Sequence, residues 1–281
     1  MKALRFGILN YLNCLPATLY LERFYSEHPD LVLSYGTPSE LNRAMREGDL
    51  DVSLVSSAEY IRHEEHYRRL NSCALWCDGE VESVCLYSHL SQAELEQSAG
   101  VIAVTAESAT SVALTELLLP GMKTQVFSTL EEARLGLEEK KFQALLLIGD
   151  KALKIPEWVQ ELSVHDLGAW WKRGTQSPMT YAVWVARADI DEASFVEAER
   201  LFRLSVKWGK SNFQDVLREA SQRSRLDLGR LESYYSKLSF SSTEESELGF
   251  LQFRSRLRAR SLKLSKKALS YRINTEKVTA L

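Results

Sequence analysis

Cysteine is scarce, with four residues in 281. A disulfide scaffold is a device of small secreted domains, so four thiols in a chain this long exclude that class. Proline is scarcer than usual at six residues, and the glycines are scattered. None of the glycines forms a GxGxxG or GxxxxGK[ST] loop, which removes the familiar phosphate-cradling motifs. HExxH is absent as well. Long apolar runs are missing, since Ala144–Ile148 falls far short of the roughly 20 residues a membrane helix needs. Charge of one sign is also lacking, with 35 lysines and arginines against 38 acids. The N-terminal apolar stretch is broken by Arg5 and has no small-residue cleavage site, which points to the cytoplasm.

What is present is ordinary globular composition, 45% hydrophobic and 26% charged. The length suits two domains or one large one, at roughly 100–200 residues per domain. The charge is uneven. From Arg254 onward there are nine lysines and arginines and one acid, Glu276. This tail reads as a solvated helix face with a frayed end. Only Tyr271 interleaves it, so a nucleic-acid arm is not indicated.

Short apolar runs alternate with helical spacing in the first half. Leu4–Leu9, Leu31–Tyr35 and Asp51–Val55 read as strands, and Pro16–Tyr25 as a helix. Thr37-Pro38-Ser39-Glu40 carries a capping box, Gly48 stops that helix, and Ser56-Ser57-Ala58-Glu59 opens another. Val81–Tyr87 reads as a long strand. A second series follows: strand Val101–Val104, helix Thr110–Leu119, strand Lys123–Phe127, helix Leu130–Glu138 and strand Ala144–Ile148. Thr180–Ala186 is another long strand, and the pattern after Asp191 is helical. Such alternation predicts parallel sheets flanked by helices. Two βα series joined by two long strands predict an α/β protein of two lobes, in the plan of a periplasmic-binding-protein-like (type II) fold with a ligand cleft between lobes. Lobe 1 would take residues 1–80 and 185–281, and lobe 2 residues 81–184.

Familiar catalytic sets do not emerge. Cys73-Ala-Leu-Trp-Cys77 has no second pair, so both thiols read as strand positions near the core. His63 and His66 sit in a charged helical stretch and read as solvated, and His165 beside Asp166 reads as packing at a strand end. Neither a metal site nor a cofactor site is expected. Small polar residues do gather where strands pass into helices: Asn10 and Asn13, Ser56 and Ser57, Thr110 and Ser111, and Asp150. Ligands sit at the carboxyl ends of strands in open α/β sheets, and helix N-termini favour anions. Each residue alone could simply cap its helix, but together they mark both lobes.

These residues also carry a resemblance. Asn10-Tyr11-Leu12-Asn13-Cys14-Leu15-Pro16, Gly48-Asp49-Leu50-Asp51-Val52, Cys77-Asp78-Gly79-Glu80-Val81-Glu82-Ser83-Val84, Thr110-Ser111-Val112, Leu147-Ile148-Gly149-Asp150-Lys151-Ala152-Leu153 and His165-Asp166-Leu167-Gly168 occur in order, running into Tyr181-Ala182-Val183-Trp184. Together they resemble the chorismate dehydratases of the futalosine route to menaquinone. The sister enzymes that make 1,4-dihydroxy-6-naphthoate resemble Ser-Pro-Cys-Pro-Asn-Asp at the N-terminal block, where this chain reads Leu9-Asn10-Tyr11-Leu12-Asn13-Cys14. Before the return strand the family reads Thr-Gly-x-Pro-Phe, and this chain has Thr175-Gln176-Ser177-Pro178-Met179. The resemblance implies a two-lobe lyase that removes water from chorismate, with no cofactor. It implies Asn13 and Ser83 as catalytic residues. Asn10, Ser56, Ser57, Thr110, Ser111 and Asp150 are expected to bind substrate. A solute receptor is the competing class. The expected partner is a small molecule rather than nucleic acid or membrane, and the sequence is compatible with a monomer or an oligomer.

Overall fold

A computed structural model gives the architecture. It describes residues 3–28 and 30–278, with side chains through Lys263. The elements run β1 (Leu4–Leu9), α1 (Leu15–Phe24), β2 (Leu31–Gly36), α2 (Pro38–Glu47), β3 (Val52–Ser56), α3 (Ser57–Arg62), β4 (Tyr67–Cys77), β5 (Val84–Ser88) and α4 (Gln92–Gln97). Next come β6 (Gly100–Val104), α5 (Ala109–Leu118), β7 (Met122–Val126), α6 (Leu130–Glu138), β8 (Ala144–Ile148), α7 (Gly149–Leu153), β9 (Ser163–Asp166) and α8 (Leu167–Thr175). Then follow β10 (Met179–Arg187), α9 (Glu192–Ser211), α10 (Phe213–Ser224), α11 (Leu228–Ser236), β11 (Ser239–Ser241) and α12 (Glu244–Val278).

Two sheets result. The first has the order β11-β4-β10-β3-β1-β2 and the second β7-β6-β8-β5-β9. In the first, β1 lies parallel between β2 and β3, and β10 runs antiparallel between β3 and β4. The second repeats the plan: β6 is parallel to β7 and β8, and β5 is antiparallel to β8 and β9. The chain leaves the first sheet after Cys77 and regains it at Met179.

Local chemistry explains the elements. The capping box at Thr37 forms as the spacing predicts, and Gly48 ends α2 in the left-handed region at φ 81°. Gly7 lets β1 approach β3, because a Cβ there would fall 2.5 Å from Ser53 Oγ. Arg5 stays at the edge of this core by pairing with Asp51 at 2.6 Å. The first sheet is covered by α9, where Phe202 packs on Trp184 with ring centroids 3.9 Å apart.

Three expectations change. Val81–Tyr87 is not one strand: residues 81–83 form a turn, and β5 begins at Val84. The long strand before the crossing is β4, whose polar interior hides its alternation and whose pairing with β10 is broken by bulges. Strand β10 pairs with the first sheet along its whole length, so the return comes before that strand and not within it. The basic tail is only in part a solvated face over its described side chains: Arg256, Arg258 and Lys263 are exposed, while Arg254 and Arg260 are half-buried. Arg254 and Arg258 both pair with Glu64 at 2.6 Å, and Arg260 pairs with Glu116 at 3.4 Å. Helix α12 continues to Val278, and the last residues of the tail, 279–281, lie outside the described residues. Among the described residues no helix is long and apolar enough to cross a membrane.

Helix α9 approaches α1 closely enough that a Cβ on Gly209 would fall 1.9 Å from the Pro16 carbonyl oxygen. Gly209→Ala should therefore force the helices apart and cost about 1–3 kcal/mol. The check is the urea midpoint, which should fall at unchanged m-value.

Candidate active site between the two sheets

A cavity lies where the two sheets face each other. Leu9, Leu54 and Leu75 from the first sheet and Val84 and Ile148 from the second supply its apolar walls. Its polar groups come from Tyr11, Asn13, Ser56 and Tyr181 on one side and Ser83, Ser108 and Ser111 on the other. At about 70 Å³ it is narrow beside the roughly 300–1,000 Å³ of ordinary ligand pockets. No lysine, arginine or histidine is among the residues lining it.

Each polar group has a local origin. Asn13 sits in a 3₁₀ turn, Leu12–Cys14, between β1 and α1, and its Oδ1 accepts from Cys14 Sγ at 3.1 Å. Ser56 ends β3 and caps α3, accepting from Glu59 N at 3.2 Å. Ser83 is 2% exposed, and its carbonyl accepts from Gly149 N at 2.8 Å. Ser108 caps α5 and donates to Ser111 Oγ at 2.8 Å. The Tyr181 hydroxyl is buried and has no hydrogen-bond partner among the described residues. Burial pushes its pKa well up, so it remains an O–H donor.

The structure brings Asn13, Ser56, Ser83 and Ser111 to one cavity. It places the other four expected residues elsewhere. Asn10 is exposed and outside the lining. Ser57 is fully buried and donates to Thr180 O at 2.7 Å. Thr110 accepts from Ala58 N at 2.9 Å, capping α3 from the opposite sheet. Asp150 accepts from Leu12 N at 3.1 Å, capping the 3₁₀ turn in the same way. The Thr110 and Asp150 side chains complete helix ends, and that use removes them from the cavity wall. It also occupies peptide N–H groups that an anion could have taken. Tyr11 adds a third link across the cleft, donating to Glu107 at 2.9 Å, and Lys151 pairs with the same carboxylate at 2.9 Å.

Sequence reasoning missed Tyr11, Ser108 and Tyr181. Tyr11 lies inside the quoted Asn10–Pro16 block, and Ser108 was legible as a cap one residue before Ala109. Tyr181 opens the quoted Tyr181–Trp184 block, but its place in the cavity depends on β10 crossing beside Ser56. His63 and His66 flank an exposed 3₁₀ turn, Glu64–His66, and with Glu65 form a group of metal-ligand type away from the cavity. His165 is bonded to the Leu90 carbonyl at 2.9 Å. All four cysteines are buried and reduced, and burial pushes the thiol of Cys73 up to about 11.

The comparisons with known proteins agree with this layout. The sequence model of a family described as menaquinone biosynthesis matches residues 4–259. Chorismate dehydratase of Thermus thermophilus is 32% identical over 207 residues, 67% of this chain and 72% of that protein. Among solved structures, AF1704 of Archaeoglobus fulgidus superposes with a TM-score of 0.76 at 16% identity, over 92% of this chain and 97% of that one. CA3427 of Candida albicans, described as having the generic periplasmic binding protein fold, gives 0.64 at 10% identity, over 92% and 91%. The Escherichia coli aliphatic sulphonate binding protein SsuA gives 0.61 at 14%, over 93% and 88%. The fold is thus the two-lobe, periplasmic-binding-protein-like one.

Burial raises the pKa of Asp150 above its ordinary 3.8, outweighing the bond from Leu12 N. The folded state then holds the proton more tightly than the unfolded one. The stability this gives is present below about pH 4 and is lost as pH rises through the folded pKa. Asp150→Asn keeps an oxygen for Leu12 N but does not titrate. Its stability relative to the parent should therefore climb from pH 4 upward in urea denaturation. A difference that stays flat with pH would contradict this.

Proposed function

The chain belongs to the menaquinone biosynthesis family, and from that premise we propose that it dehydrates chorismate to 3-[(1-carboxyvinyl)oxy]benzoate. The observation that carries the reading is the meeting of Asn13 and Ser83, from different sheets, in one cavity. The setting would be the futalosine route in the cytoplasm, with a small molecule as the partner.

The chemistry follows from what the cavity offers. In the elimination the C3–H and C4–O bonds of chorismate break, a C3–C4 double bond forms, and the ring becomes aromatic. Aromatisation makes the step downhill, so the protein chiefly has to hold the reacting groups in place. Asn13 and Ser83 are not bases at neutral pH, and the Tyr181 hydroxyl is held protonated. We therefore assign the proton transfer to the substrate. Its enolpyruvyl carboxylate takes the C3 proton, and the hydroxyl leaving C4 collects that proton and departs as water. Asn13 and Ser83 hold the carboxylate in reach and hydrogen-bond the leaving oxygen. Ser56 and Ser111 bind the ring carboxylate through their hydroxyls. With no cation in the wall, binding rests on neutral donors, which suits a substrate whose carboxylate must stay basic enough to act.

Asn13→Ala or Ser83→Ala should lower chorismate turnover at least about tenfold, because a lost transition-state hydrogen bond costs roughly 1–3 kcal/mol. Asp150→Asn should be far milder. The measurement is ultraviolet absorbance of the benzoate with product mass. Binding of chorismate without product would make the chain a receptor, and near-complete loss in Asp150→Asn would place the base on the protein.

A further inference from the structure

The chain reaches Ser83 through a turn held against its own preference. Glu82 has φ 58°, in the left-handed region that non-glycine residues seldom adopt. Ser83 N donates to Val81 O at 2.7 Å. A bond two residues back around a positive φ makes a γ-turn of the rare, strained kind. Such a conformation persists only where its surroundings over-determine it.

Here the surroundings do so from three directions. The Asp166 carboxylate accepts from Val81 N at 3.0 Å and Glu82 N at 2.6 Å. Gly149 N holds the Ser83 carbonyl at 2.8 Å. The Glu82 carboxylate is gripped by Arg230 and Lys237, the first on α11 and the second just past its end. Lys237 also reaches Glu80 at 2.8 Å. The same helix touches the other candidate catalytic segment. Tyr235 donates to Leu12 O at 2.9 Å, next to Asn13. The buried Tyr234 hydroxyl faces Ser83 without a well-formed hydrogen bond.

We propose that Glu82 is a positioning residue for Ser83. Its ion pairs with Arg230 and Lys237 lock the strained turn to α11, and α11 thereby sets the Ser83 hydroxyl in register with the Asn13 segment. Neither Arg230, Lys237 nor Glu82 lines the cavity, so the effect on chemistry passes through Ser83. An ion pair that merely held the fold together would alter stability and leave the chemical step alone. The kinetic part of this claim rests on the dehydratase reading, and its structural part does not.

The test compares wild type, Glu82→Gln, Glu82→Asp and the double variant Arg230→Gln with Lys237→Gln. Each is made with Ser83 present and in the Ser83→Ala background. Steady-state turnover of chorismate is read together with amide hydrogen exchange over residues 79–85. Glu82→Gln and the double variant should each lower kcat about tenfold while KM moves less than about twofold, since misplacing a reacting group costs rate more than binding. Glu82→Asp should restore part of the rate. In the Ser83→Ala background the Glu82 change should cost nothing more, the non-additivity expected of residues acting as a unit. Exchange at Ser83 should quicken. Equal fold-losses in both backgrounds, or a lower melting temperature at unchanged kcat, would overturn the proposal. If wild type forms no benzoate, the dehydratase reading fails. Exchange then decides the positioning alone: faster exchange in Glu82→Gln supports it, and unchanged exchange overturns it.

Discussion

The start of a helix leaves peptide N–H groups without partners in their own helix, and here two such groups are answered from the opposite sheet. Thr110 caps α3 and Asp150 caps the turn that precedes α1, so each end is complete only when the lobes meet. The arrangement ties cleft closure to helix capping. It also fixes which strand-end polar groups remain for a ligand. Ser56 and Ser111 keep their hydroxyls at the cavity, while Ser57 turns back into its own sheet. The hydrogen bonds that span the cleft are worth about 1 kcal/mol each, a scale that a bound ligand can supply or release.

The electrostatic character of the cavity follows from the same economy. Cations are present nearby but are engaged. Lys151 is held by Glu107, and Arg230 and Lys237 are held by Glu82. Amides and hydroxyls are left to face the ligand. A wall of neutral donors can orient a carboxylate without fixing its charge in a tight ion pair. Asp150 and Asp166, which hold the segments carrying Asn13 and Ser83, are both pushed above the ordinary carboxylate range by burial, and both serve as acceptors for peptide N–H groups.

Much of the fold was legible because βαβ units write themselves locally. The apolar run of β1, the capping box at Thr37 and the stop at Gly48 each need only a handful of neighbouring residues. Strand β4 was read only at its Cys73 and Cys77 end, because the polar residues and bulges before it blur the alternation. The site was half legible for a related reason. A cap signal says that an oxygen will accept a peptide N–H, but not which helix owns that N–H. The partner of Thr110 lies 52 residues away and that of Asp150 lies 138 away. The strained turn at Glu82 is likewise invisible in a stretch without a glycine at that position. Its causes, Asp166 and α11, come from far along the chain.

Strand β10 has a consequence for how the molecule is made. It is synthesised after every strand of the second sheet, yet it takes a place in the middle of the first, between β3 and β4. The second sheet lies within one contiguous stretch, Val84 to Asp166, and can close as soon as that stretch has left the ribosome. Until β10 arrives the first sheet has two bare inner edges, one on β3 and one on β4, of the kind that pair with other chains. The inner lobe can thus fold ahead of the one whose strands flank it in sequence, reversing the usual N-terminal-first order. The nascent chain is most exposed to misassembly in the interval between Cys77 and Arg187, when the gap that β10 will fill is still open.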